Sequence, residues 1–120
     1  HPNTVKAEIT SSNGTTCNVV ASSIGGGQIK VLSVNGFMAD ISGQYNAVII
    51  THQDKVGVIN KITSIFEKYN INIVSLHADR ESRGKNATTI IEFDGNSNQM
   101  LIEELPKIEN IINVSFVDKI

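Results

Sequence analysis

The chain has 120 residues, with 10 Lys and Arg against 12 Asp and Glu, for a formal net charge of −2. That length is one ordinary domain, or a small domain with an appendage. The near-neutral charge, the lack of a basic run and the lack of an apolar stretch of roughly 20 residues argue against nucleic-acid and membrane partners. Cys17 is the single cysteine, so this chain by itself builds neither a disulfide framework nor a thiolate cluster. It reads as a small buried hydrophobe in a strand. The N-x-S/T matches at Asn13, Asn86 and Asn113 read as chance in an asparagine-rich chain. The chain begins at His1 rather than Met, as a piece of a longer protein would, and a cytoplasmic setting fits these features.

In chain order, residues 5–10 alternate apolar and polar side chains and predict a half-buried strand. Asn13-Gly14 marks a hairpin turn, and residues 17–21 form the return strand. Gly25, Gly26 and Gly27 precede a third strand at 29–34, which ends at Asn35-Gly36. The triple glycine lacks the trailing Lys-Ser/Thr and the helix of a phosphate loop. It is either a bulge or tight crossover, or a backbone surface for an anion or a partner subunit. His1 is either an inert terminus or a ligand in a site cut by the chain boundary. Three strands without a helix bury too little to stand alone. Residues 1–45 therefore read as the C-terminal part of a larger α/β domain, with 37–46 as the linker to the second half of the chain.

Residues 48–73 organise the remainder. Val48, Ile49 and Ile50 form a strand, followed by a polar turn with His52 and Asp54, and by Gly57 in the first turn of a helix. Ile59, Ile62 and Phe66 lie at helical spacing with Ile65 beside them, so one helix face is apolar. Asp54 is placed to cap that helix or to stand just before it. A second strand opens at Ile71-Asn72-Ile73 and runs to Arg80, with Val74, Leu76 and Ala78 on one side and Ser75, His77 and Asp79 on the other. A polar hairpin over 81–85 leads to an alternating strand at 87–94. Ser97 offers a cap for a second helix carrying Met100, Leu101, Leu105 and Ile108, which Pro106 should kink or end. The last strand is 113–117. This β-α-β-β-α-β order is the ferredoxin-like α+β arrangement, with both helices expected on one sheet face.

Little in the chain suggests catalysis. His52 with Asp54, and His77 with Asp79, are the candidate pairs, but none has metal-ligand spacing. Arg80 and Arg83 read as solvating a hairpin tip. An amino acid suits the 52–58 turn better. Backbone amides of Val56, Gly57 and Val58 at the positive helix end can donate to an α-carboxylate. Asp54 can accept from the α-ammonium, and Asn72 can bond either group. His52 can bond a small polar side chain. The plainer alternative is that Asp54 only caps the helix, Gly57 only permits close packing and Asn72 only starts a strand.

The segments His52-Gln53-Asp54-Lys55-Val56-Gly57 and Ile71-Asn72-Ile73 resemble the signature of the ACT domain, a regulatory amino-acid-binding module. That signature is a strand ending in a polar residue, Asp/Asn-x-Pro-Gly, a helix, and a strand start with Asn between two apolar residues. Val56 stands where the family usually has proline, which forgoes pre-organisation of the first turn, while Gly57 is kept. The resemblance implies an ACT domain over 46–120, with His52, Asp54, Lys55, Val56, Gly57, Val58 and Asn72 as the ligand-binding set.

The HPNT at 1–4 and the IGGG at 24–27, together with the HQDKVG turn, are similar to the β chains of bacterial iron-sulfur L-serine dehydratases (L-serine ammonia-lyases). In that family a domain related to the allosteric-substrate-binding domain of some phosphoglycerate dehydrogenases precedes the ACT domain. The resemblance therefore implies a β-rich remnant of such a domain at 1–45. It also implies a [4Fe-4S] cluster in a partner catalytic α chain that turns L-serine into pyruvate and ammonia. L-serine or a similar small amino acid would bind the ACT domain, which would pair as a homodimer, and this piece would have no activity alone. Two alternatives stand beside it: the regulatory tail of a D-3-phosphoglycerate dehydrogenase, and a stand-alone amino-acid-binding dimerisation module.

Overall fold

The computed structural model describes residues 4–10, 16–24, 29–34, 37–41, 44–80, 85–95 and 99–117. Four strands come first: β1 (Thr4–Thr10), β2 (Thr16–Ile24), β3 (Ile29–Val34) and β4 (Phe37–Ile41). They form an antiparallel sheet in sequential order, with Val5 opposite Ala21, Ala21 opposite Leu32, and Leu32 opposite Ala39. Sequence reasoning expected three strands and a linker over 37–46. Instead Phe37–Ile41 is a fourth strand, and Val34 pairs with Phe37 across the Asn35-Gly36 dipeptide. Asn-Gly flanked by apolar residues is a strong two-residue hairpin signal in sequence, and Asn35-Gly36 itself lies outside the described residues. His1, the 11–15 turn and the triple glycine lie outside the described residues, as do Arg83 and Ser97.

The second half contains β5 (Asn46–Gln53), α1 (Val58–Lys68), β6 (Ile73–Arg80), β7 (Asn86–Phe93), α2 (Gln99–Glu104) and β8 (Ile111–Val117). The sheet order is β6-β7-β5-β8, and every neighbouring pair is antiparallel. This is the expected ferredoxin-like α+β arrangement. One core joins the helices to a single face of that sheet. Val58, Ile62 and Phe66 of α1 and Leu101 of α2 meet Val48 and Ile50 of β5, Ile91 and Phe93 of β7, and Val114 of β8. Phe66 and Phe93 pack edge to face with ring centroids 5.7 Å apart. Each such side chain, fully buried, stabilises the fold by about 1.5–3 kcal/mol.

Helix α1 ends at Lys68 in a backbone closure. Asn70 adopts a left-handed φ of 58°, its amide donates to the Glu67 carbonyl at 3.0 Å, and the Ile71 amide donates to the Phe66 carbonyl at 2.9 Å. These two bonds are a Schellman closure with asparagine in the position glycine usually takes. Ile71 returns against Phe66 and delivers the chain into β6. Helix α2 stops at Glu104, and Pro106 sits in a 3-10 turn over Leu105–Lys107, so proline ends the helix as expected. Leu101 and Leu105 are buried, but Met100 is 46% exposed and leaves the predicted apolar stripe.

The opposite sheet face departs from expectation. The sequence predicts helices on one face only, yet Ala47, Ile49, Ile90, Glu92 and Ser115 on the other are all buried. Strands β1 and β4 of the first sheet pass beside β8 and β7. Strand β7 is therefore buried on both faces: Thr88 and Glu92 are inside on this one, and Thr89 is inside on the helix side. In β6, Val74 and Leu76 are exposed, while Ser75 and His77, paired with Glu92 and Ile90, are half-buried. Ser75 donates its hydroxyl to Glu92 Oε1 at 2.8 Å. No helix among the described residues is long and apolar enough to cross a membrane.

Candidate functional site

The turn between β5 and α1 is built on backbone geometry rather than on a side-chain cap. Gly57, not Asp54, is the N-cap of α1, with φ 88° and ψ −10° and no side-chain cap bond. The Val58 amide donates to the Lys55 carbonyl at 3.4 Å, closing a four-residue turn with Gly57 in third place. Those dihedrals are the third position of a type II turn, where glycine is favoured because φ is positive. The second position of such a turn favours proline, and Val56 occupies it. A proline two residues after the acidic residue thus has a physical reason, and Val56 fills that place without the ring.

Around this turn the backbone donors divide. The Asp54 amide donates to Lys85 O at 2.6 Å and the Lys55 amide to Gln53 O at 2.9 Å. The amides of Val56 and Gly57 have no partner among the described residues. Those of Ile59 and Asn60, in the first helical turn, have no intrahelical acceptor. Val56 is fully exposed, Lys55 and Gly57 are exposed, and the Val58 side chain is 1% exposed in the core. The Val58 side chain is thus in the core and its amide already serves the Lys55 carbonyl, so Val58 shapes the turn rather than offering a free group to a ligand.

His52 lies beneath the turn rather than in it. It is 3% exposed, with Nδ1 2.9 Å from the Gln53 carbonyl and Nε2 2.8 Å from Thr89 Oγ1. A carbonyl only accepts, so Nδ1 carries the proton, and a neutral ring takes the Thr89 hydroxyl proton at Nε2. Both nitrogens are thereby engaged, and His52 anchors the end of β5 to β7. In this arrangement it has no atom free for a ligand side chain.

Asp54 is half-buried and paired. Its Oδ2 lies 3.1 Å from Arg80 Nε, so Arg80 does not merely solvate a hairpin tip. The register explains the reach. Arg80 pairs with Ala87, and Ala87 pairs with His52, so the guanidinium spans the end of β7 to reach the residue after β5. Sequence reasoning missed this pair because the two residues are 26 positions apart in separate elements, and only the strand order joins them.

Asn72 is elsewhere. Strands β5 and β6 are both antiparallel to β7 and hence parallel to each other, so the start of β6 lies at the sheet end opposite Asp54. With Arg80 beside Asp54, the length of β6 separates Asn72 from the turn by about 25 Å, at about 3.3 Å per residue. There Asn72 is exposed. Its Nδ2 donates to Asp94 Oδ2 at 3.1 Å and its carbonyl accepts the Asp94 amide at 3.0 Å, so Asp94 orients it. A groove of about 400 Å³ runs beside it, lined by Asn60, Thr63, Ser64 and Glu67 of α1 and by Ile71 and Ile73. The Thr63 and Ser64 hydroxyls donate back to helix carbonyls, which leaves their lone pairs to accept.

The family model of the ACT domain matches residues 47–111. The chain is 36% identical over 115 residues, 96% of its length and 52% of the relative's, to the probable L-serine dehydratase β chain of Bacillus subtilis (strain 168). It is 28% identical over 118 residues, 98% of its length and 53% of the relative's, to the L-serine dehydratase β chain of Peptoniphilus asaccharolyticus. Similarity to the D-3-phosphoglycerate dehydrogenase of Bacillus subtilis (strain 168) is 29% over 89 residues, 74% of this chain and 17% of that enzyme. The chain thus spans about half the length of the two β chains it matches.

Proposed function

The chain belongs to the ACT domain family over residues 47–111, and on that premise we propose that it is a regulatory, amino-acid-binding part of an L-serine dehydratase β chain. Its ligand is L-serine or a similar small amino acid, seated at the β5–α1 turn. The α-carboxylate takes the amides of Val56 and Gly57, with Lys55 at the rim, and Asp54 takes the α-ammonium. The similarity of nearly the whole chain to two such β chains supports this reading. On the same reading, residues 1–45 are the C-terminal part of an allosteric-substrate-binding-like domain, and the protein works in the cytoplasm.

One observation carries the assembly: Asp54 and Asn72 stand at opposite ends of one sheet whose edge strand, β6, pairs with β7 on one side and has no strand on the other among the described residues. Pairing β6 antiparallel with β6 of a second copy brings Asn72 of each chain to the Asp54 end of the other. The exposed apolar Val74 and Leu76 on that edge fit such a junction. Each site then takes its turn from one chain and its asparagine from the other. Serine bound there favours the paired form, and by linkage pairing tightens serine.

The reaction belongs to a catalytic α chain. A [4Fe-4S] cluster takes several cysteine thiolates, and this chain contributes only Cys17, so the cluster does not fit here and no catalytic step is assigned to these residues. The D-3-phosphoglycerate dehydrogenase match makes a regulatory tail of that enzyme the second reading. A nucleotide-binding GxGxxG fold upstream would favour it.

Calorimetric titration with L-serine, glycine and L-alanine tests the site. Serine should bind, and Asp54→Ala should weaken it about tenfold or more, because the ammonium loses its charged acceptor. An unaffected variant would remove Asp54 from the site. No binding at millimolar ligand would remove the site from this chain alone, leaving a dimerisation role or a site completed only by the catalytic chain.

A further inference from the structure

The Asp54 carboxylate already holds one cation. Arg80 Nε lies 3.1 Å from Asp54 Oδ2, and the two members differ in how firmly they are held. The Asp54 side chain is 23% exposed and its backbone amide is tied to Lys85 O, whereas the Arg80 side chain is 56% exposed at the end of an edge strand. Ion pairs this exposed are weak, so a competing cation displaces the guanidinium at little cost. What it leaves behind is a free guanidinium beside the ligand, with a fork of donors suited to a carboxylate.

Resting on the amino-acid reading above, we propose that Arg80 is a specificity-determining residue that makes the site select zwitterions. An amino acid inserts between Asp54 and Arg80. Its ammonium replaces the guanidinium on Asp54, and its carboxylate engages the displaced Arg80, so one ion pair becomes two. An amine without a carboxylate must strand Arg80, and an acid without an amine must strand Asp54. The pair therefore rejects half-ligands before any side chain is read. It contributes nothing to the choice among serine, alanine and glycine, which carry the same two groups.

The test titrates the full chain with L-serine, ethanolamine and L-lactate, in the wild type, Arg80→Gln and Arg80→Lys. The wild type should bind serine and discriminate against ethanolamine. In Arg80→Gln that ratio should fall about tenfold, the scale of one charge-assisted bond. Ethanolamine should bind more tightly because its competitor is gone, and serine more weakly. Arg80→Lys should recover most of the discrimination. Serine binding with an unchanged ratio in Arg80→Gln overturns the role of Arg80 and leaves the amino-acid site standing. Equal loss of both ligands in Arg80→Gln marks the residue as structural and overturns the role as well. Absence of serine binding in the wild type overturns the site and the proposal together. If Arg80→Gln fails to fold, the wild-type Arg80 Nε–H resonance decides: serine should shift it and L-lactate should not, and an unmoved signal at saturating serine refutes the exchange.

Discussion

If each ligand site is shared between two chains, Asp54→Ala and Asn72→Ala should complement one another. Along β6, Asn72 and the Arg80–Asp54 pair are about 25 Å apart, far more than a single amino acid spans, so one chain cannot offer both to one ligand. In a two-fold dimer every site uses Asp54 from one chain and Asn72 from the other. Either variant alone then damages both sites of its own homodimer. The loss of a hydrogen bond to a charged group is about 1.5–3 kcal/mol, or roughly 10- to 150-fold in affinity. After the two variants are unfolded together at equal amounts and refolded, half the dimers are mixed. Each mixed dimer has one doubly altered site and one intact site, so about a quarter of all sites should bind at wild-type affinity. The assay is calorimetric stoichiometry, with sedimentation to confirm dimers. Failure of the mixture to bind better than its components would refute the shared site, as would undiminished binding by Asn72→Ala alone.

Two further outcomes concern the turn and what supports it. Val56→Pro places proline in the second position of the type II turn, where no protein acceptor is lost, and should stabilise the chain by about 0.4–1 kcal/mol through the unfolded state. A lower thermal midpoint would mean that the Val56 backbone is not at the φ proline requires. Thr89→Val removes the hydroxyl that serves buried His52 and should cost about 1–3 kcal/mol in denaturant unfolding. Thr89→Ser keeps the hydroxyl and should retain most of that stability, so equal losses in the two variants would show that the methyl, not the hydrogen bond, matters.

Much of the architecture is legible in the sequence because it rests on local rules. The helical spacing of Ile62 and Phe66 and the proline that ends α2 each act within a few residues. Together with the alternating strands they specify the β-α-β-β-α-β order. The ACT signature is likewise short-range: its glycine is needed because one backbone position has positive φ. Expectations failed where a distant element intervened. The alternation of β7 suggested one polar face, but the first sheet passes beside that side of the second, and Glu92 is buried there. His52, Asp54, Gly57 and Asn72 could be named from the sequence, since their residue types suit a zwitterion. Their placement could not, because strand order is a tertiary property. It buries His52 against Thr89, gives Asp54 to Arg80, and sends Asn72 to the far end of the sheet. Local propensity decides which residues form a turn; the packing of strands decides which of them share a site.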